Sequence, residues 1–181
     1  MSTLDQILHH RRSIRKYDAR QTISREEIET LVRAAQEAPS WKNQQTTRYY
    51  VALGTEMVNR VRPCLENSNP MKTEGAGAII VSTFVRNIVG FSHGEPDNEG
   101  GNGWGWYDMG LQNALLLTKA AEADIDTLVI GLRRERELRQ LFRIPEDEII
   151  GPVIAVGHRV EDANRPPRKE LTDILFIHAD N

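Results

Sequence analysis

HHRRSIRKY, residues 9–17, holds four of the chain's 23 Lys and Arg and two of its five His, in a protein of formal net charge -3. Arginine forks grip phosphate oxygens two at a time, and a serine hydroxyl adds a neutral donor at close range. Arg11, Arg12 and Arg15 around Ser13 therefore suit a bound phosphate. Taken alone they suit a helix C-terminus equally well, where cations complement the end of the dipole. A second basic group tips the balance. Arg165, Arg168 and Lys169 stand in a proline-stiffened tail, and the two segments could converge on one dianion. A third stretch, APSWKNQQ (38–45), presents Ser40, Asn43 and Gln45 between a predicted helix and a predicted strand, at one edge of a sheet. Its composition is also that of an ordinary connecting loop.

Other chemistries find little support. There is no Walker A loop, no HExxH and no GxSxG. Gly101, Gly103 and Gly105 are wrongly spaced for a dinucleotide fingerprint, and no strand leads into them. The lone Cys64 forms no internal disulfide or thiolate cluster, and reads as a small buried side chain at a helix end. His93 and His158 are isolated, and read as solvated or hydrogen-bonded rather than as metal ligands. No metal is expected. A pI near 6.0 argues against a general nucleic-acid binder. No apolar run reaches the roughly 18 to 20 residues of a membrane span. MSTLDQILHH lacks the order of a secretory signal, so a cytoplasmic location is expected.

The elements that must position these residues follow from caps and periodicity. Thr3-x-x-Gln6 and Ser24-x-x-Glu27 each set a hydroxyl cap three residues before an amide or carboxylate, ahead of apolar residues at helical spacing. Two helices are predicted, the second stopping by Pro39. TRYYVAL (47–53) predicts a strand, and 55–65 a helix whose last turn Pro63 disturbs. AGAIIVSTFV (76–85) predicts a strand covered on both faces. Residues 90–105 form a Gly-rich polar loop, of a length usually tied to function or mobility. The longest helix, about 106–122, is nearly apolar all round and should lie at the centre. DTLVIGL (126–132) and GPVIAVGHR (151–159) predict strands, with RRERELRQLF a charged surface helix between them. The expectation is one α+β domain, residues 1–181, including an extended tail over 163–181.

RRSIRKY, a capped helix ending in APSWKNQQ, an aromatic strand, GLQNALLLTKAAEA leading to TLVIG, and the closing GHR...RPPRKELTDIL occur here in one order. That order resembles the FMN-dependent nitroreductase family over nearly the whole chain. The resemblance implies a central mixed, mainly antiparallel sheet flanked by helices, and a homodimer with exchanged C-terminal tails and two FMN molecules at its interface. It implies that Arg11, Arg12 and Ser13 meet the phosphate and ribityl chain, and that Arg15 meets the N1/O2 edge of the flavin. Pro39 and Ser40 are laid against the flavin by the partner subunit, with Asn43 in the same loop. Ile130 and Gly131 face the ring with their backbone, and Arg168, with Lys169 beside it, returns to the phosphate. No catalytic side chain is required, since flavin N5 takes the hydride. NAD(P)H and a nitroaromatic, quinone or related acceptor then react in turn. Thr46-Thr47 stands where the family commonly has Pro-Trp, ADIDT where GLGT is frequent, and the segment over the flavin face is the loop with Trp104 and Trp106. A flavin-binding carrier or sensor without turnover is the competing expectation, and a nucleic-acid binder using RRSIRK a third.

Overall fold

The structure is a computed structural model that describes residues 3–179. Its centre is a four-stranded antiparallel sheet in the order β1-β2-β6-β5. The strands are β1 (Thr47–Leu53), β2 (Ala78–Val85), β5 (Asp126–Ile130) and β6 (Glu148–Gly157); β3 (Phe91–Ser92) and β4 (Glu95–Pro96) form a separate short hairpin. The helices are α1 (Thr3–His10), α2 (Arg25–Gln36), α3 (Thr55–Val61), α4 (Asn69–Lys72), α5 (Gly103–Glu122) and α6 (Glu135–Phe142). Among the described residues one parallel bridge, Ser13 to Thr127, makes the sheet mixed.

β2 and β6 are central and buried on both faces, as an unbroken apolar run requires. Side chains alternate across a strand, so β2 feeds two cores. Ile79 and Val81 pack with Val58, Val61, Leu138 and Val153 on one face, while Ile80 packs with Ile28, Leu31, Leu116 and Ile154 on the other. α2 forms because its apolar residues recur at helical spacing behind a complete capping box, Ser24 and Glu27 each bonding the other's backbone N–H. β1 spans the predicted residues. α3 runs into a 3-10 turn at Arg62–Cys64, where Pro63 ends the α-helical pattern and Cys64 is buried.

Five expectations are corrected. Thr3 lies within α1 and is not its cap. α5 begins at Gly103, three residues early, because Gly105 has no Cβ: one added there would stand 2.3 Å from the Phe84 ring. The 90–105 loop is likewise partly structured, by the β3–β4 hairpin and by this first turn of α5. α5 is not enclosed all round either, since Trp106, Tyr107 and Leu115 are exposed along one side. β6 starts at Glu148, three residues ahead of the predicted strand. In the tail Ala163 packs against the core, while Leu171, Ile174, Leu175, Phe176 and Ile177 are all exposed. Among the described residues no helix is long and apolar enough to cross a membrane.

Candidate functional site

Arg11 and Arg12 follow directly on the last turn of α1. Arg12 turns its Nη1 back to the carbonyls of His9 (2.5 Å) and Arg11 (2.7 Å), which fills the helix-terminal role open to such cations. Its Nε is buried without a partner. Desolvation lowers the Arg12 pKa, and the repulsion of Arg165, Arg11, Arg168 and Arg159 lowers it further. Arg165 and Arg168 of the tail are therefore near enough to Arg12 to repel it. Arg159 is neutralised: its Nε lies 2.9 Å from Oδ1 of the buried Asp126, its backbone N–H 2.7 Å from Oδ2, and its Nη1 2.9 Å from Asp162. Among the described residues no ion pair is formed by Arg11, Arg12, Arg165 or Arg168. An open concentration of positive charge at this point is what a dianion would neutralise.

A cleft of about 310 Å³ lies here, lined by His10, Arg11, Arg12, Thr127, His158 and Arg159 among others. Ser13 is locked beside β5 by its bridge to Thr127, and Ile14 N–H donates to the Thr127 carbonyl at 3.0 Å. Tyr17 anchors the same segment from below, its buried hydroxyl donating to Ile14 O at 3.0 Å, and burial raises its pKa. Arg15 is exposed and lines a second hollow of about 370 Å³ with Ser13, Lys16, Lys72 and Asp162. His158 is hydrogen-bonded, its Nδ1 3.2 Å from Asp124 O. His93 is exposed.

Ile130 ends β5 and is buried; Gly131 follows, exposed, with nothing near the place of a Cβ. It opens on a hollow of about 400 Å³ bordered by Trp106, Asn113, Arg133 and Pro152. From Thr127 to Gly131 the strand advances about 13 Å, so the cationic end and the open backbone end lie on one edge of the sheet, set apart along it. Arg168 and Lys169 are both exposed in the tail, and Arg168 Nη1 donates to Pro166 O at 3.1 Å.

Pro39, Ser40 and Asn43 are elsewhere. They precede β1, the opposite edge strand, which three strand spacings or about 14 Å separate from β5. Their loop is tightly wound: Lys42, Asn43 and Gln45 all adopt left-handed φ, at 48°, 57° and 50°. Gln45 N–H donates to Ser40 Oγ (3.2 Å) and Gln45 Nε2 to Asn43 Oδ1 (3.1 Å). Trp41 N–H donates to Oδ2 of the buried Asp108 at 3.0 Å. The Trp41 ring meets that of Trp104 at 4.8 Å, and Lys42 reaches Asp97 of the hairpin at 3.7 Å. Loop and hairpin thus form one body. Asp108, Lys72 and the Asp126–Arg159 clamp are unmarked in the sequence; each acts through contacts between distant segments, and no local spacing announces them.

Residues 8–79 match the sequence model of the Nitroreductase family. The chain is similar to Protein DrgA of Synechocystis sp., at 28% identity over 98% of this chain and 96% of that protein. It is also similar, at 26% identity over 84% of this chain and 83% of the relative, to a protein of Archaeoglobus fulgidus provisionally named an NADH dehydrogenase/NAD(P)H nitroreductase. A protein of Exiguobacterium sibiricum, provisionally named a nitroreductase and solved in complex with FMN, shares the fold. Its TM-score is 0.81 at 23% identity, over 98% of each chain. These likenesses bear out the family resemblance read from the sequence.

Proposed function

From a chain that carries the nitroreductase signature and fold, we propose an FMN-dependent oxidoreductase that takes hydride from NAD(P)H. It reduces nitroaromatic, quinone or related acceptors by a ping-pong mechanism. The observation that carries the reading is the cleft beside β5 lined by Arg11 and Arg12, with the buried Arg12 Nε unpartnered and Arg165 and Arg168 of the tail near enough to repel Arg12. The donor set fits FMN in kind: arginine forks and a buried, unpartnered guanidinium nitrogen for the phosphate, then open backbone at Ile130–Gly131 for the ring. The FMN complex of the Exiguobacterium sibiricum protein and the naming of the Archaeoglobus fulgidus relative support cofactor and donor.

Bound FMN would supply the two-electron redox chemistry between donor and acceptor. The protein's part is to bind, orient and tune. Arg11, Arg12 and Arg168, with Lys169 beside them, would hold the phosphate, and Ser13 the adjoining chain. Arg15 would offset the negative charge that reduction builds at the ring edge, an interaction worth more after electron transfer than before it. No side-chain acid or base is required. Donor and acceptor would use one open face, and so bind alternately.

The same geometry supports a dimeric reading. Pro39, Ser40 and Asn43 lie across the sheet from β5, so in one copy they are remote from the phosphate cluster, and a second copy can bring them to it. We read the exposed side of α5 and the apolar residues 171–177 as surfaces of a homodimer with exchanged tails. Purified protein should be yellow, bleach with NADH or NADPH, and regain colour with a quinone or nitroaromatic. Parallel double-reciprocal plots are expected. A colourless protein that takes up no FMN, or intersecting plots, would overturn the reading.

A further inference from the structure

We infer that Asp108 is a positioning residue for hydride transfer: its buried carboxylate holds the Ser40–Gln45 loop in the shape that lets Pro39 and Ser40 lie against a partner copy's flavin. The inference rests on the dimeric flavin reading above.

Asp108 is 3% exposed, and Trp41 N–H, 67 positions away in the chain, is the hydrogen-bond partner of its carboxylate. Burial raises its pKa, and the bond from Trp41 acts in the opposite direction. A buried carboxylate with a single neutral donor is a poor stabiliser, and an apolar side chain of the same size would cost less to bury. What it contributes is therefore the place of the group it binds.

That group is the hinge of a strained loop. Three non-glycine residues with left-handed φ persist only where surroundings hold them. The bonds of Gln45 to Ser40 and Asn43 are internal to the loop and shape it without fixing it to the body of the protein. The Lys42–Asp97 pair is exposed and weak. The Trp41–Trp104 ring contact is non-directional along the ring plane. Arg48 Nη1 donates to Gln45 O at 2.9 Å and holds the β1 end of the loop; the Asp108 bond is the directional tether at the other end, one residue from Ser40. It springs from α5 one turn beyond Gly105, where the helix presses closely on Phe84. Loss of the tether would let Pro39 and Ser40 drift, while the phosphate cluster across the sheet would be untouched.

The test compares Asp108→Asn with Asp108→Leu in the flavin-loaded protein. The asparagine amide oxygen can still accept from Trp41, and leucine cannot. Asp108→Asn should be reduced by NADH or NADPH near the normal rate. Asp108→Leu should be about 10- to 100-fold slower, as a misplacement near 1 Å can produce, with kcat falling more than acceptor KM changes. Flavin content, dimer mass and melting temperature should stay those of the unmodified protein. An Asp108→Leu variant reduced at the normal rate would overturn the inference. So would a Trp41 amide that exchanges its hydrogen as fast as an unstructured peptide, a measurement that needs no variant. If the unmodified protein itself binds no flavin, the oxidoreductase reading falls and takes this inference with it. A normal flavin cycle with an indifferent Asp108→Leu removes the inference alone.

Discussion

The cationic cluster beside β5 and the loop before β1 stand at opposite edges of one sheet, and they are built on opposite principles. At the first, ordinary elements deliver long side chains: a helix end, a strand bridge and an extended tail bring Arg11, Arg12, Arg165 and Arg168 together. None of these four arginines has a left-handed backbone, and the charge is left open. At the second, the backbone is wound through three left-handed residues, and aromatic packing and a buried carboxylate hold it. Ser40, Asn43 and Gln45 are engaged with one another, while Trp41 Nε1 and Gln44 Oε1 are buried without partners. A site of the first kind supplies affinity; one of the second supplies shape. Damage to the two regions should therefore separate in measurement, the first in binding and the second in rate.

The strongest way to break that separation is to remove residues 167–181. This deletes Arg168 and the apolar 171–177 segment together, so both dimer and flavin should be lost, as light scattering and the visible spectrum would report. A flavin-bearing monomer would refute the division. Next in size is Arg15→Ala, which should keep much of its FMN yet be reduced by NAD(P)H about 100-fold more slowly, the scale of losing one donor aimed at developing charge. Stopped-flow absorbance checks it, and a normal rate would move Arg15 from tuning to mere binding. Arg11→Ala should do the reverse. FMN affinity should weaken about 10- to 100-fold, from a lost charge-assisted hydrogen bond, with the bound flavin reduced normally. Titration of apoprotein with FMN decides it.

On the loop side, Trp104→Ala removes a ring packed on Trp41 and an indole N–H that donates to Asn98 at 2.7 Å. The ring is half-buried, so a cost of about 2 kcal/mol, below that of a core Trp→Ala, is expected in urea unfolding. FMN affinity should be unchanged, and a large loss of affinity would tie the two regions together. The smallest effect belongs to Lys42→Ala. Its ion pair with Asp97 is largely solvated, and less than about 1 kcal/mol should be lost.

The same contrast explains what could be read from the sequence. Arg11, Ser13 and Arg168 stand out in the sequence because charge clusters and prolines are visible in any order of reading. β1 and α2 were legible because alternation and a capping box are local signals. The pattern of conformations in WKNQ was not, since Lys42, Asn43 and Gln45 adopt backbone angles usually signalled by glycine. Asp108 looked like one polar residue in an apolar helix, and its meaning depends on a backbone N–H in a different segment. The start of α5 was masked by its glycines, which local propensity counts against a helix and which close packing on Phe84 requires. All four strands of the sheet are legible as elements, but their order is not, since pairing joins residues far apart in the chain.

The outer edge of β5 carries a separate consequence. In a lone chain that strand pairs on one side only beyond its bridge to Ser13, and Val129 and Leu132 stand exposed along it, with Phe176 and Ile177 bare in the tail. Unpaired strand edges and loose apolar segments are what chaperones hold, proteases cut and other strands capture. A newly made chain is therefore at its most vulnerable between folding and meeting a cover for that edge. Its yield should depend on how fast chains accumulate: dilute synthesis favours degradation, and rapid synthesis favours mispairing.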